Sequence, residues 1–286
     1  MLPQCLLLLC ALLPLSTAVS LYSATDDSLI KVTNERQFKR LVFANDSAPR
    51  ALFIVMGNAL SIDHDHPMSS VTSNQCPLCT SDLCPYCRAL AADFRAFAQS
   101  VRRWQPVAQV LVVNCNEPAT SRICWQHGVR ATPTFHYLPA NARRVQDASV
   151  LTPVYEQDAF RNTLASNVLR DYIRHGYEQW PNFAQMDPDQ KLDDLWEQAP
   201  EEMDYLLLLF DKSHWDAEAM KLMLDLTGLS SRVHLRRTLR GALSQQLHMD
   251  ELVPAAVLLK RPSAAHPLAD THDLYRTKYR DAFTYC

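Results

Sequence analysis

Cys84-Pro85-Tyr86-Cys87 places two thiols three positions apart, with an amphipathic run directly behind them. Leu90, Phe94, Phe97, Val101 and Trp104 recur at steps of three and four, which predicts a helix with one apolar face. Pro85 suits the first turn of that helix, where its missing N–H costs nothing. Cys84 then stands at the positive end of a helix, which favours thiolate over thiol. A pair of this kind is a redox centre when a β-α-β framework surrounds it.

The flanking sequence supplies such a framework. Ala51 to Met56 is a continuous apolar run, as expected of a strand buried on both faces. Leu29 to Val32 reads as a short strand, and Thr33 as the cap of a helix with Phe38, Leu41 and Val42 inward. Val107 to Val113 is another apolar strand, followed by a short helix towards Gly128. Ala131-Thr132-Pro133-Thr134-Phe135 opens the next strand, through Leu138, and Phe160 to Tyr177 reads as a helix. The order β-α-β-α-β-α-β-α implies a central sheet with helices on its faces. Trp180 to Pro200 is acidic and contains prolines, and reads as a linker with one helix. The order then repeats in shorter form. Tyr205 to Phe210 and Val233 to Leu239 read as strands, and Asp216 to Leu226 as a helix ended by Gly228. Gly241 to Leu247 reads as a helix, Ala255 to Leu259 as a strand, and Leu274 to Phe283 as a last helix. In this half Lys212-Ser213-His214-Trp215 stands where the first half has its thiols. The division expected is a leader at 1–20, a first domain at 21–178, a linker at 179–203 and a second domain at 204–286.

Disulfide exchange needs one attackable thiol and a second to resolve the mixed disulfide. Cys84 is the expected nucleophile and Cys87, one turn in, the shielded resolving thiol. Thr132-Pro133 is the second half of the site. An X-Pro bond adopts cis at small cost, and in a cis turn before an edge strand the backbone of Thr132 would pair with an extended substrate. Cys115 and Cys124, nine apart, read as a local structural disulfide. Cys76 and Cys79 form a second C-x-x-C pair, read as a relay or a structural bridge. With Cys84 and Cys87 they have only four residues between the pairs, too few for the usual zinc ribbon, so no metal is expected. The run Asp63-His64-Asp65-His66 reads as a solvated loop.

The totals bound the rest. The 286 residues allow one or two domains. A net charge of −3 with mixed signs gives no nucleic-acid footprint, and five glycines leave no phosphate-binding Gly-rich loop. Leu6 to Leu15 is an apolar core followed by small residues at Ser16, Ala18 and Ser20, the pattern of a cleaved secretory leader. No segment of the mature chain is long enough to span a bilayer. Asn45-Asp46-Ser47 is a glycosylation sequon, which suits the secretory route. Removing the leader takes Cys5 and Cys10 and leaves seven cysteines, so at least one, with Cys286 a candidate, is free, catalytic or intermolecular. The expected location is the endoplasmic reticulum, the Golgi or the extracellular space.

These residues resemble the quiescin sulfhydryl oxidases. Leu21-Tyr22-Ser23 with Asp26 to Leu29 is similar to the start of their mature chains. Cys84 to Cys87 falls at the active site of their first thioredoxin domain. Val113-Asn114-Cys115 to Cys124 and Ala131 to Thr134 are similar to their disulfide-bearing loop and cis-proline strand. Trp180-Pro181 and Tyr205-Leu206 onward resemble the junction to a second, redox-inactive thioredoxin domain. The resemblance implies an α/β protein of two tandem thioredoxin-like domains, the second lacking the CxxC. It also implies transfer of electrons from substrate thiols through the CxxC to a flavin-binding domain that reduces oxygen to hydrogen peroxide. The family's flavin domain follows the second thioredoxin domain, so FAD is expected only in a full-length member and no cofactor in this chain. The implied partners are reduced or misfolded secretory proteins and an electron acceptor, either the flavin domain, glutathione or another oxidase. The dipeptide between the thiols is Pro-Tyr rather than Gly-His. Phe53 or an apolar neighbour stands where thioredoxins usually keep a buried acid. A non-catalytic, chaperone-like module that binds peptides between its domains is the alternative reading.

Overall fold

The central strand of the first domain shows why the chain folds in layers. β2 (Ala51–Gly57) sends Ala51, Phe53 and Val55 to one side and Leu52, Ile54 and Met56 to the other, and each set is buried in a separate apolar cluster. A strand apolar on both faces needs a helical layer on each. A computed structural model describes residues 28–43, 49–57, 85–229, 233–249, 254–261 and 276–278. The sequence readings at 1–20, Asn45, Asp63 to His66, Cys76, Cys79, Cys84 and Cys286 lie outside these residues.

The first sheet joins β2 to β1 (Ile30–Val32), β3 (Ala108–Asn114), β4 (Thr134–Leu138) and β5 (Ser149–Leu151), in the order β1-β3-β2-β4-β5. β1, β3 and β2 run parallel, β4 runs antiparallel to β2, and β5 runs antiparallel to β4. α2 (Pro85–Ser100) and α4 (Gln157–His175) cover one face, where Phe53, Phe94, Phe97, Phe135 and Phe160 form an aromatic cluster. α1 (Glu35–Phe43) and α3 (Pro118–Gln126) cover the other with Phe38, Val42 and Ile123.

The second domain contains α5 (Leu192–Gln198), β6 (Tyr205–Phe210), α6 (Ala217–Asp225), β7 (Val233–Thr238), α7 (Ala242–Gln246), β8 (Ala255–Lys260) and β9 (Arg276–Lys278). Its sheet has the order β7-β6-β8-β9, with β6 parallel to β7 and antiparallel to β8. Leu206, Leu208 and Phe210 of β6 face α5 and α7, while Leu209 belongs to the cluster on the α6 side.

Two sequence readings are corrected, at the cap of α1 and at Leu274, and β5 and the segment 179–203 gain detail. The cap of α1 is Asn34, whose Oδ1 accepts the Gln37 N–H at 2.9 Å. Thr33 sits one residue earlier, and its backbone N–H donates to Gln37 Oε1 at 2.7 Å. β5 went unread because its three residues are too few to show a period. The expected helix from Leu274 contains a strand at Arg276–Lys278, which pairs with β8 and covers an edge that would otherwise present unpaired backbone groups. The expected linker is largely part of the two cores. Trp180 and Phe183 are buried against the first domain, and Gln185 bridges to Arg237 of β7. Leu192, Leu195 and Trp196 pack beneath the second sheet. Acidic residues on the outer face of α5 hid this in the sequence.

The two domains meet through α6, which is buried from Ala219 to Leu224 and packs on α4 and on the 3-10 turn Arg102–Trp104. Asp225 at its end accepts from the Trp104 indole N–H at 2.7 Å and from Arg161 Nη2 at 2.7 Å. Arg161 also donates to the Ser100 carbonyl at 3.0 Å and lies 5.0 Å over the Trp104 ring. Thr227 Oγ1 donates to the Arg103 carbonyl at 2.8 Å. Asp225→Ala leaves a partly buried guanidinium and an indole N–H without their acceptor. It is expected to lower the unfolding free energy by about 2–4 kcal/mol, read as a lower urea midpoint. Asp225→Asn keeps a neutral acceptor for Trp104 and is expected to lose less.

Candidate active site

Three chain segments converge at the C-terminal end of β2. α2 begins at Pro85, so Cys87 lies in its first turn. Cys87 is buried and disulfide-bonded. Its Sγ lies 3.4 Å from where a Cβ would stand on Gly57, the last residue of β2. Lack of a side chain at Gly57 leaves that side of the sulfur open. The register pairs Met56 with Thr134, which puts Pro133 level with Gly57 on the neighbouring strand. The Thr132–Pro133 peptide bond is cis, and Thr134 Oγ1 donates to the Ala131 carbonyl across the turn. Tyr86, between the thiols, is 67% exposed.

The Cys115–Cys124 disulfide lies beside this point, with an S–S distance of 2.01 Å. The Cys115 N–H donates to the Gly57 carbonyl at 2.8 Å, so the loop carrying the bond is anchored to the strand end that meets Cys87. Asn114 shapes the loop. Its Oδ1 accepts from the Asn116 N–H at 3.0 Å, its Nδ2 donates to Glu117 at 2.9 Å, and its carbonyl accepts from Thr120 Oγ1. Cys124 is on α3, so the bond ties that helix to the end of β3.

No carboxylate comes from β2, whose seven residues are all apolar or glycine. A buried acid of the first domain, Asp171, stands at the other end of the sheet. It accepts from Tyr137 at 3.1 Å, Tyr177 at 2.9 Å and the Ala140 N–H at 3.0 Å. Burial pushes its carboxyl up from the ordinary range, against those hydrogen bonds. It serves the bottom of the domain and not the thiols.

In the second domain the equivalent position is built differently. Phe210 pairs with Ala255 as Met56 pairs with Thr134, so Asp211 corresponds to Gly57 and Pro254 to Pro133. Asp211 is buried and paired with Arg237, with Nε and Nη2 each 2.7 Å from Oδ2. Gln185 Nε2 donates to the same oxygen at 2.8 Å. Arg237 Nη2 also donates to the His214 carbonyl at 3.1 Å, and the His214 ring bonds to Gln185 Oε1. Burial raises the Asp211 carboxyl while the guanidinium opposes it. An ion pair thus clasps the segment that in the first domain carries Cys87. Sequence reasoning missed the pair because Asp211 and Arg237 are 26 residues apart and share no motif. A charged residue directly after an apolar strand was the available signal.

Among the described residues no group of three or more His, Cys, Asp or Glu is placed to hold a metal ion. Among the same residues no helix is long and apolar enough to cross a membrane.

A five-stranded sheet in this order defines a thioredoxin fold, given a cysteine in the first turn after its central strand and a proline entering the antiparallel neighbour. The second sheet repeats its central part without the cysteines. The chain is weakly similar to sulfhydryl oxidase 1. A stretch of 99 residues is 23% identical to the protein of Gallus gallus, over 34% of this chain and 13% of that one. One of 132 residues is 26% identical to the protein of Homo sapiens, over 45% of this chain and 17% of that one. The matched stretch is therefore less than a fifth of either relative. A crystal structure of ERdj5 superposes over 91% of this chain and 30% of its own, with a TM-score of 0.53 at 12% identity. No family model matches the chain.

Removing one member of a buried pair leaves the other charge uncompensated. Asp211→Ala is therefore expected to cost about 3–5 kcal/mol in a urea titration. The double replacement Asp211→Leu with Arg237→Met, which removes both charges, is expected to recover much of that loss.

Proposed function

We propose that the protein is a thiol–disulfide oxidoreductase of the secretory pathway, working through Cys84 and Cys87 of the first domain. The observation that carries this reading is the setting of Cys87. It lies disulfide-bonded in the first turn of the helix that follows a central parallel strand, against Gly57 and level with Pro133. Cys84 is the attacking thiolate, and Cys87 resolves the mixed disulfide. A substrate disulfide accepts two electrons from the dithiol, which closes to Cys84–Cys87. In the oxidising direction the Cys84–Cys87 disulfide accepts two electrons from a pair of substrate thiols. The segment Thr132–Pro133 lies where an extended substrate would dock by its backbone.

The weak similarity to sulfhydryl oxidase 1 supports the oxidising direction, with reduced secretory proteins as substrates. Oxygen-dependent turnover is assigned only to a form that carries a flavin domain. Without one, glutathione disulfide or a partner oxidase takes the electrons. The second domain, with Asp211 and Arg237 at the corresponding position, acts as a non-redox partner to the first.

Oxidation of a fluorescent peptide dithiol, with glutathione disulfide as acceptor, tests the assignment. The wild-type chain is expected to turn over, and Cys84→Ser to lower the rate by at least about 100-fold. Cys87→Ser is expected to accumulate a mixed disulfide with the peptide, seen by mass spectrometry. Turnover that survives Cys84→Ser overturns the assignment. Peptide binding without any turnover points to the chaperone-like reading instead.

A further inference from the structure

Two histidines on the α1–α3 side of the first domain have no role in the thiol chemistry. His127 follows the last turn of α3, and His136 is the third residue of β4. Both are buried, and their rings meet edge to face with centroids 5.5 Å apart. Phe38 of α1 meets the His127 ring in the same manner at 5.3 Å. Among the described residues, none of the four ring nitrogens has a hydrogen-bond partner. Imidazoles in such a site are held neutral, because a charge there would be neither solvated nor paired.

Among the described residues no neighbouring group relieves this. β2 and β3 present no charged side chain on this face, with Ile54 registered against His136. The loop after β4, packed here through Ala142 and Ala148, carries exposed Arg143 and Arg144 and also Asp147, which accepts from their backbone N–H groups. β5 contributes Val150, and Tyr137 of β4 points to the other face. α1 carries Glu35, Arg36, Lys39 and Arg40, α3 carries Arg122 after Glu117 at its cap, and Arg130 lies in the loop between the histidines. Glu35 is engaged by Lys39 at 2.8 Å, and Arg36, Lys39, Arg40, Arg122 and Arg130 are exposed. Burial, and then the charge of His136, hold His127 down at about 4 against an ordinary 6.5. Burial lowers His136 as well.

The two histidines bracket the segment that contains Ala131, Thr132 and Pro133. We propose that the His127–His136 pair is an acid-sensitive clasp on this segment: neutral, it holds residues 127–133 against the sheet; protonated, it releases them and changes the surface beside Cys87. The proposal rests on the reading of Thr132–Pro133 as the docking element. The disulfide at Cys124 keeps α3 tied to β3, so release is confined to the chain that follows it. A histidine lowered by burial stabilises the closed form at pH above its exposed value. That stabilisation is lost as pH falls from 6.5 towards 4, because the open form takes up protons that the closed form refuses.

Amide hydrogen exchange of the intact chain at pH 7.4 and pH 5.0, corrected for the intrinsic pH dependence of exchange, tests the clasp. For His127 the opening of residues 127–133 is expected to rise about 20- to 30-fold at pH 5.0. β2 and β6 are expected to change less than about twofold, as a local opening requires. His127→Leu with His136→Leu is expected to abolish the rise, and His136→Phe, which keeps an edge-to-face ring, to reduce it. The clasp is overturned if residues 127–133 do not respond, if the variants keep the response, or if β2 opens together with the segment. Exchange does not depend on thiol turnover. A clasp that opens in a chain with no turnover therefore supports the clasp and overturns the proposed function, and the converse result overturns the clasp alone.

Discussion

The central strand of the second sheet, β6, is apolar on both faces and needs a helical layer on each. α5 and α7 cover one face, and α6 covers the other. α6 is buried on nearly all sides, since its far side lies on α4 and on the 3-10 turn of the first domain. A helix that carries apolar side chains on opposite sides needs a surface on each. The apolar cluster of the first domain therefore runs on through Met220, Met223 and Leu209 into the second. The polar ends of this contact are satisfied at Asp225, which takes donors from Trp104 and Arg161 at once. A charged group in a partly buried boundary is tolerable when it is fully hydrogen-bonded, and it sets one relative position of the two domains.

With that position set, the same point of the fold is used in two ways. At the C-terminal end of the central strand the first domain has Gly57, Cys87 and Pro133, and the second has Asp211, Arg237 and Pro254. In the first, the disulfide-bonded Cys87 stands in the first turn of α2. In the second, a buried ion pair holds the segment after β6 and is costly to separate. β2 carries no carboxylate, whereas Asp211 stands directly after β6 and is buried against Arg237.

The remaining polar groups of the first domain sort by distance from Cys87. Asp171 binds Tyr137, Tyr177 and the Ala140 backbone, and it closes the bottom of the domain where the chain leaves for the second. Tyr177, Trp180 and Phe183 stack across that exit, with the Trp180 indole donating to the Pro49 carbonyl at 2.6 Å. At the other end, the Cys115–Cys124 disulfide and the buried histidine pair frame the segment that leads into β4. One is covalent and the other is apolar packing of ionisable rings, so they differ in what releases them.

Much of this was legible in the chain. Apolar runs such as Ala51 to Met56 and Tyr205 to Phe210 announced buried strands, because a strand covered on both faces has no room for polar residues. The spacing behind Cys87 announced its helix, and Cys115, Cys124 and Thr132-Pro133 stood at readable positions around it. The short elements were not legible. Three residues of β5 or β9 carry no period, and what makes them strands is the edge each of them covers. Neither was the role of 179–203, because an acidic outer surface conceals buried Leu192, Leu195 and Trp196. Local sequence determined the elements and the spacing of the thiols, since periodicity and the C-x-x-C pattern are properties of adjacent residues. Only the tertiary structure decided that Asp225 joins the domains, that Asp211 meets Arg237 and that His127 meets His136, because each pairing depends on which strands and helices become neighbours.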